Sequence, residues 1–178
     1  MAEGEKREAV LTAGRTLLLK QGFRATSMEA IAAEAGIAKA TLYKYYGDKD
    51  AVFVALATEL LVRVHGAFVE GLGAKGTLTA RVAEALVAKY AALGAYMAGS
   101  AYADELLDAH HKLVGPQVQV AEEESAAALV EALRRGGVRE PERIAGVLDA
   151  AAYGLFRKGR GDLADGIATV VEGVLRGA

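Results

Sequence analysis

Residues 26–46 read Thr26-Ser27-Met28-Glu29-Ala30-Ile31-Ala32-Ala33-Glu34-Ala35-Gly36-Ile37-Ala38-Lys39-Ala40-Thr41-Leu42-Tyr43-Lys44-Tyr45-Tyr46. Two short helical runs flank a single glycine, the spacing of a helix-turn-helix. Thr26 is a good N-cap, and Glu29 three residues on completes a capping box. The first run, Ser27 to Ala35, buries Met28 and Ile31. Gly36 stops it and can take the left-handed backbone of a tight turn. The second run, Ile37 to Tyr46, turns Ile37, Leu42 and Tyr46 inward. Its outer face suits a DNA major groove. Ala38, Ala40 and Thr41 are small enough to approach base edges. Lys39, Lys44 and Lys49 supply cations for phosphates, and Tyr43 and Tyr45 carry hydroxyls that can donate to phosphate oxygens.

Outward from this stretch the chain reads as helices throughout. Glu5 to Gln21 forms a first helix, apolar at Val10, Ala13, Leu17 and Leu18 and ended by Gly22-Phe23. After Gly47, Asp48 caps a long helix to about Glu70, apolar at Val52, Phe53, Leu56, Leu60, Val64 and Phe68. Gly71 to Gly76 reads as a loop. Further helices span Thr77 to Ala98, Ser100 to Asp108, and His110 to Arg135, the last in one piece or bent near Gly115-Pro116. Pro141 to Lys158 and Asp162 to Arg176 complete the series. The expected fold is all-α: an N-terminal three-helix DNA-binding domain over residues 1–47, then a domain of about six helices over 48–178.

Composition agrees. Of 178 residues, 38 are Ala and two are Pro, the strongest helix former and breaker. The net charge of -2 excludes a uniformly basic, histone-like chain. Residues 1–50 hold eight Lys/Arg against seven Asp/Glu, and the remainder holds 13 against 16. The N-terminal third is thus the better partner for an anion. With no cysteine, thiolate metal sites, disulfides and cysteine nucleophiles are excluded. No uninterrupted apolar run approaches 18 residues, and the charged N-terminus lacks an apolar signal core. A cytoplasmic protein without a membrane span is expected.

The run Gly36 to Tyr46, followed by Asp48-Lys49-Asp50, resembles the TetR family of bacterial transcriptional regulators, over roughly Arg7 to Leu56. It is similar to that family's Ser-Lys-Gly/Ala, Thr-Leu-Tyr-x-Tyr/His-Phe pattern and the Ser-Lys-Glu after it. The resemblance implies that Thr26, Lys39, Thr41, Tyr43, Tyr45 and Lys49 contact operator DNA, with Ala40 and Lys44 at the groove. Ala38 departs from the common Ser, so a capping hydroxyl is missing there. The resemblance also implies a homodimer whose second domain binds a small-molecule effector, with operator DNA released in response. The different-class alternative is a helical small-molecule-binding protein without operator recognition.

Within residues 48–178, Ile144, Val147, Leu148, Ala151 and Leu155 form one apolar stripe. Leu163, Ile167, Val170, Val171 and Val174 form another. These cover a second subunit, as the resemblance implies, or pack within their own. Candidates to line an effector pocket are His65, Phe68, Tyr90, Tyr96, Met97, Tyr102, His110, His111, Tyr153 and Phe156, each of which can equally be core. Asp104, Asp108 and His111 share a helix face that could hold a metal, or form a solvated helix end. No metal or cofactor is expected. Gly71-Leu72-Gly73-Ala74-Lys75-Gly76 matches G-x-G-x-x-G formally but follows a helix, where a dinucleotide site needs a strand. None of the three serines sits in a G-x-S-x-G elbow, so the residues suggest no enzyme.

Overall fold

The computed structural model describes residues 2–159 and 162–178, and for His111 the backbone alone. Among these residues all regular structure is helical: α1 (Glu3–Ala25), α2 (Met28–Glu34), α3 (Lys39–Tyr45), α4 (Lys49–Gly73), α5 (Leu78–Met97), α6 (Ala103–Arg135), α7 (Pro141–Lys158) and α8 (Leu163–Arg176). The chain forms two compact units that interleave along the sequence. One contains the residues up to Leu60 together with Met97–Val118, the other Leu61–Tyr96 with Gln119–Ala178.

In the first unit, α1 packs on α2 and α2 on α3. Val10, Leu17 and Leu18 of α1, Ile31 of α2, Leu42 of α3 and Val52, Phe53 and Leu56 of α4 are buried. Gly14 lets α4 approach α1, because a Cβ there would lie 3.0 Å from Val52. The expected end of the first helix at Gly22 appears as a break inside α1, where Gly22 has φ +82°. A side chain at Gly22 would strike the Tyr102 ring and the Glu105 carboxylate. Glu105 also accepts the Arg24 N–H at 2.8 Å. No separate helix starts at Ser100. Its hydroxyl donates to the Leu19 carbonyl and accepts the Tyr102 N–H, and α6 begins at Ala103. The expected bend near Pro116 falls at Val114, whose backbone leaves the helical region. Proline lacks an N–H and its ring crowds the preceding turn, which accounts for that break.

The second unit is built on Phe68, Leu86, Tyr90, Leu129, Leu133, Leu148, Ile167 and Val171, all buried. Of the segment expected as a loop from Gly71 to Gly76, the first three residues are the end of α4 and the rest is the loop before α5. At Gly71 α5 packs tightly, since a Cβ there would lie 2.5 Å from the Ala85 Cα. A glycine read as a helix stop is in fact a helix-packing contact. By length and composition α4 could cross a membrane, with mean hydropathy 1.7 over its most apolar window. Its inward residues Val52, Phe53, Leu56, Leu60, Phe68 and Leu72 are buried within the protein.

These contacts separate two glycines of one helix. Gly71→Ala drives a methyl into backbone, so we expect a loss of about 1–3 kcal/mol, or a midpoint lower by roughly 2–12 °C. Gly66 meets nothing within 4 Å, so Gly66→Ala should gain about 0.5–1 kcal/mol from helix propensity alone. Thermal unfolding of both variants checks the pair, and an unchanged midpoint for Gly71→Ala would contradict this packing.

Candidate functional site

The turn between α2 and α3 is built by backbone chemistry. Ala35 ends α2 and Gly36 takes φ +66°. The Ile37 N–H donates to the Ala32 carbonyl at 3.0 Å and the Gly36 N–H to Ala33 at 3.1 Å. This is the double bond of a Schellman ending, which needs a left-handed residue at Gly36. α3 starts after Ala38, which has no side-chain cap, as the missing hydroxyl implied. Within α3 only Leu42 is buried, at 0% exposure. With Leu42 inward, Lys39, Ala40, Tyr43 and Lys44 are exposed and Thr41 and Tyr45 half-buried. Tyr46 is half-buried, and burial raises its phenol above the usual pKa.

The expected DNA contacts divide into three groups. Ala40, Tyr43 and Lys44 stand on the outer face of α3. Lys39 is there too, but its ammonium forms an ion pair with Glu29 of α2 and lies 5.7 Å over the Tyr43 ring. The hydrogen bond and charge of Glu29 raise the Lys39 pKa, and Lys39 lowers that of Glu29. Both therefore stay charged at neutral pH. Tyr45 is stacked under Arg7 of α1, 5.0 Å from its ring.

Thr26 and Lys49 are placed differently from the surface contacts expected of them. Thr26 is 2% exposed, and its hydroxyl donates to the Gly22 carbonyl at 2.7 Å. Ser27 takes the cap instead, accepting the Ala30 N–H, so the capping box with Thr26 does not form. The kink at Gly22 frees a carbonyl that Thr26 satisfies. The Lys49 ammonium donates to the Phe23 carbonyl at 2.7 Å and sits 4.3 Å from the Phe23 ring, which packs edge-on against Phe53. Lys49 thus fastens the start of α4 to the end of α1, where a cation is favourable near terminal carbonyls.

The sequence model of bacterial regulatory proteins of the tetR family matches residues 10–56. Over this segment the chain is similar to the TetR family. YdeS of Bacillus subtilis (strain 168), an uncharacterized HTH-type transcriptional regulator, is 41% identical over 58 residues, which is 30% of this chain and 29% of that protein. The match thus spans less than a third of that relative's length. Among solved structures, a TetR-like transcriptional regulator from Rhodococcus sp. RHA1 superposes with TM-score 0.74 at 24% identity, covering 99% of this chain and 96% of that one. SmeT, the repressor of the Stenotrophomonas maltophilia multidrug efflux pump SmeDEF, gives TM-score 0.72 at 18% identity, covering 96% and 89%. These likenesses establish the fold over nearly the whole chain.

The expected pocket residues do not form one group. His65, Phe68, Tyr90, Tyr96, Tyr153 and Phe156 belong to the second unit, whereas Met97, Tyr102 and His110 belong to the first. The His111 side chain lies outside the described residues. Tyr90 is buried, stacked on Phe156 at 5.4 Å and tilted against Tyr153 at 6.3 Å. Its hydroxyl donates to the Asp149 carboxylate at 3.2 Å, and burial followed by that charge raises its pKa strongly. Lys89 bonds the same carboxylate at 2.7 Å, with a side chain only 14% exposed, and lies 5.8 Å from the Phe68 ring. His65 Nδ1 is 3.0 Å from the Ser125 hydroxyl, which donates its proton to the Ala121 carbonyl. Nδ1 is therefore the donor of that pair. Lys89 and Asp149 escaped the sequence reading. Their signal is a lone charge set into the apolar stripes of α5 and α7. An open groove of about 500 Å3 lies elsewhere, in the first unit, lined by Thr12, Arg15, Thr16, Leu19, Lys20 and Ala98 to Ser100.

The residues of the two apolar stripes differ in burial. Ile144, Leu148, Ile167 and Val171 are buried in the chain's own core, with Leu155, Leu163, Val170 and Val174 packed against it. α7 and α8 turn Ile144, Leu148, Ile167 and Val171 towards their own unit, whereas Leu155, Leu163, Val170 and Val174 keep part of their surface exposed. Ala151 is half-buried, and Val147 is 44% exposed. Gly146, Val147, Ala150 and Tyr153 form the outward, small and apolar face of α7.

The two lysines make opposite demands on one pair of measurements. Lys44→Ala should weaken binding to mixed-sequence duplex DNA and lower the log–log salt slope by about 0.9 for each phosphate it no longer neutralises. Lys49→Ala should lower the thermal midpoint, since a charged hydrogen bond contributes about 1.5–3 kcal/mol. An unchanged salt slope for Lys44→Ala would remove that residue from the interface.

Proposed function

We propose that this chain is a transcriptional repressor that works in the cytoplasm as a homodimer on a palindromic operator and is released by a small-molecule effector. One observation carries the DNA-binding part. Burial of Leu42 turns a small and cationic face, Lys39, Ala40, Tyr43 and Lys44, outward from a seven-residue helix. That helix lies inside the segment matching bacterial regulatory proteins. An α-helix of this size enters the major groove, with lysines on phosphates and small side chains at base edges. The proposal assigns no catalytic step.

The exposed face of α7 at Val147 and Tyr153 supports a second copy as partner, because such a face is otherwise left in water. Two-fold pairing makes the operator an inverted repeat. SmeT, a repressor by name, shares the fold and supports the sign of regulation. For the effector, the aromatic group of Phe68, Tyr90, Tyr153 and Phe156 is the candidate receiver. α4 follows α3 directly and runs on through Phe68, so a ligand that moves α4 would reach the DNA-binding helices. A coupling of about 1–3 kcal/mol would lower operator affinity roughly 5–150-fold.

Selection of bound fragments from genomic DNA of the encoding organism tests the reading. The expected product is an inverted repeat whose half-sites lie roughly 34–36 Å apart, one turn of duplex. Val147→Asp should keep its helix content and lose the preference for paired half-sites. Fragments no better retained than mixed-sequence DNA would overturn the proposal.

A further inference from the structure

Lys39 opens α3 and Glu29 lies in the first turn of α2, and their side chains meet across the Gly36 turn. Ser27, not Thr26, caps α2, which puts Glu29 at the second helical position rather than the third, where a capping box needs its carboxylate. The pair is poorly explained as a stabilising device. Both side chains are more than half exposed, at 56% and 58%, and ion pairs in water contribute little to folding. Its location gives it another consequence. α3 presents two cations, Lys39 and Lys44, and residues 1–50 carry a net charge of only +1. Attraction to a polyanion therefore depends on how a few charges are arranged. A carboxylate held on one of the two removes much of the local field.

We infer that Glu29 is an internal anion that competes with duplex phosphate for Lys39, and so restrains sequence-independent DNA binding by this domain. To reach a phosphate, the Lys39 ammonium must leave Glu29 or carry that carboxylate towards the negatively charged duplex. Either route subtracts from the gain of the new contact. Non-specific binding consists almost wholly of such contacts, so it is the binding mode most reduced. Glu29 touches no base in this account and acts through Lys39, as a positioning and charge-compensating residue. The inference rests on the DNA-binding reading above.

The test uses the full chain and mixed-sequence duplex DNA, titrated across a salt series with wild type, Glu29→Gln, Lys39→Ala and the double variant. Glu29→Gln keeps the size and removes the charge. It should bind about two- to fivefold more tightly per subunit at low salt, the range of an exposed ion pair. The gain should shrink as salt screens both competitors. In the Lys39→Ala background, Glu29→Gln should lose most of that gain. Circular dichroism should give the same helix content for all four proteins. Unchanged or weaker binding by Glu29→Gln, with wild type still binding, would overturn this inference and leave the DNA-binding reading standing. An equal gain with and without Lys39 would assign the effect to bulk charge and overturn it too. A wild-type chain that does not bind duplex DNA would overturn both.

Discussion

The seating of Leu42 is the constraint on which the functional end of the molecule depends. α3 has seven residues and its first turn lacks a side-chain cap. A helix that short does not persist in water by itself. What holds it is one fully buried leucine and the two backbone bonds of the Gly36 turn. Because α3 has a single buried anchor, its rotation about its own axis is set by that side chain. The same contact fixes which residues face outward. Around it, the first unit is fastened by polar bonds at one place, the end of α1. Thr26, Lys49, Glu105 and Ser100 all bond carbonyls or an N–H between Leu19 and Arg24. The kink at Gly22 exposes these backbone groups, and neighbouring elements satisfy them.

The second unit follows a different plan. Its core is mainly aliphatic and aromatic, with the bonded group of Lys89, Asp149 and Tyr90 and the His65–Ser125 pair set beside it. A largely buried ammonium is costly without a partner. The carboxylate and the faces of Phe68 and Tyr90 supply the compensation. Ile144, Leu148, Ile167 and Val171 of the apolar stripes of α7 and α8 lie inside the unit, where the two helices pack on each other. What remains outside on α7 is smaller and less apolar.

The helices and the turn were legible because their signals are local. Alanine excess, Gly36 between two short runs, Asp48 before α4 and Pro141 at the start of α7 act within a few residues. Asp48 does cap α4, accepting the Ala51 N–H at 2.7 Å. The misreadings arise where a residue's partner is distant in sequence. Gly71 resembles a loop glycine until Ala85 is placed against it. Lys49 resembles a free surface cation until the Phe23 carbonyl is within reach. Thr26 loses the cap to Ser27 because its hydroxyl is drawn to Gly22, a consequence of a kink in another helix. For α7 and α8, periodicity identified apolar faces, and only the packed helices decide what those faces cover.

The central claim is that the outer face of α3 is the surface that meets DNA. Nuclear magnetic resonance of backbone amides, recorded as duplex DNA is added to the full chain, addresses it directly. The account predicts the largest shifts at Lys39, Ala40, Tyr43 and Lys44, with smaller ones through α2. Shifts centred instead on Arg15, Lys20 and Ser100, around the open groove of α1, would contradict it.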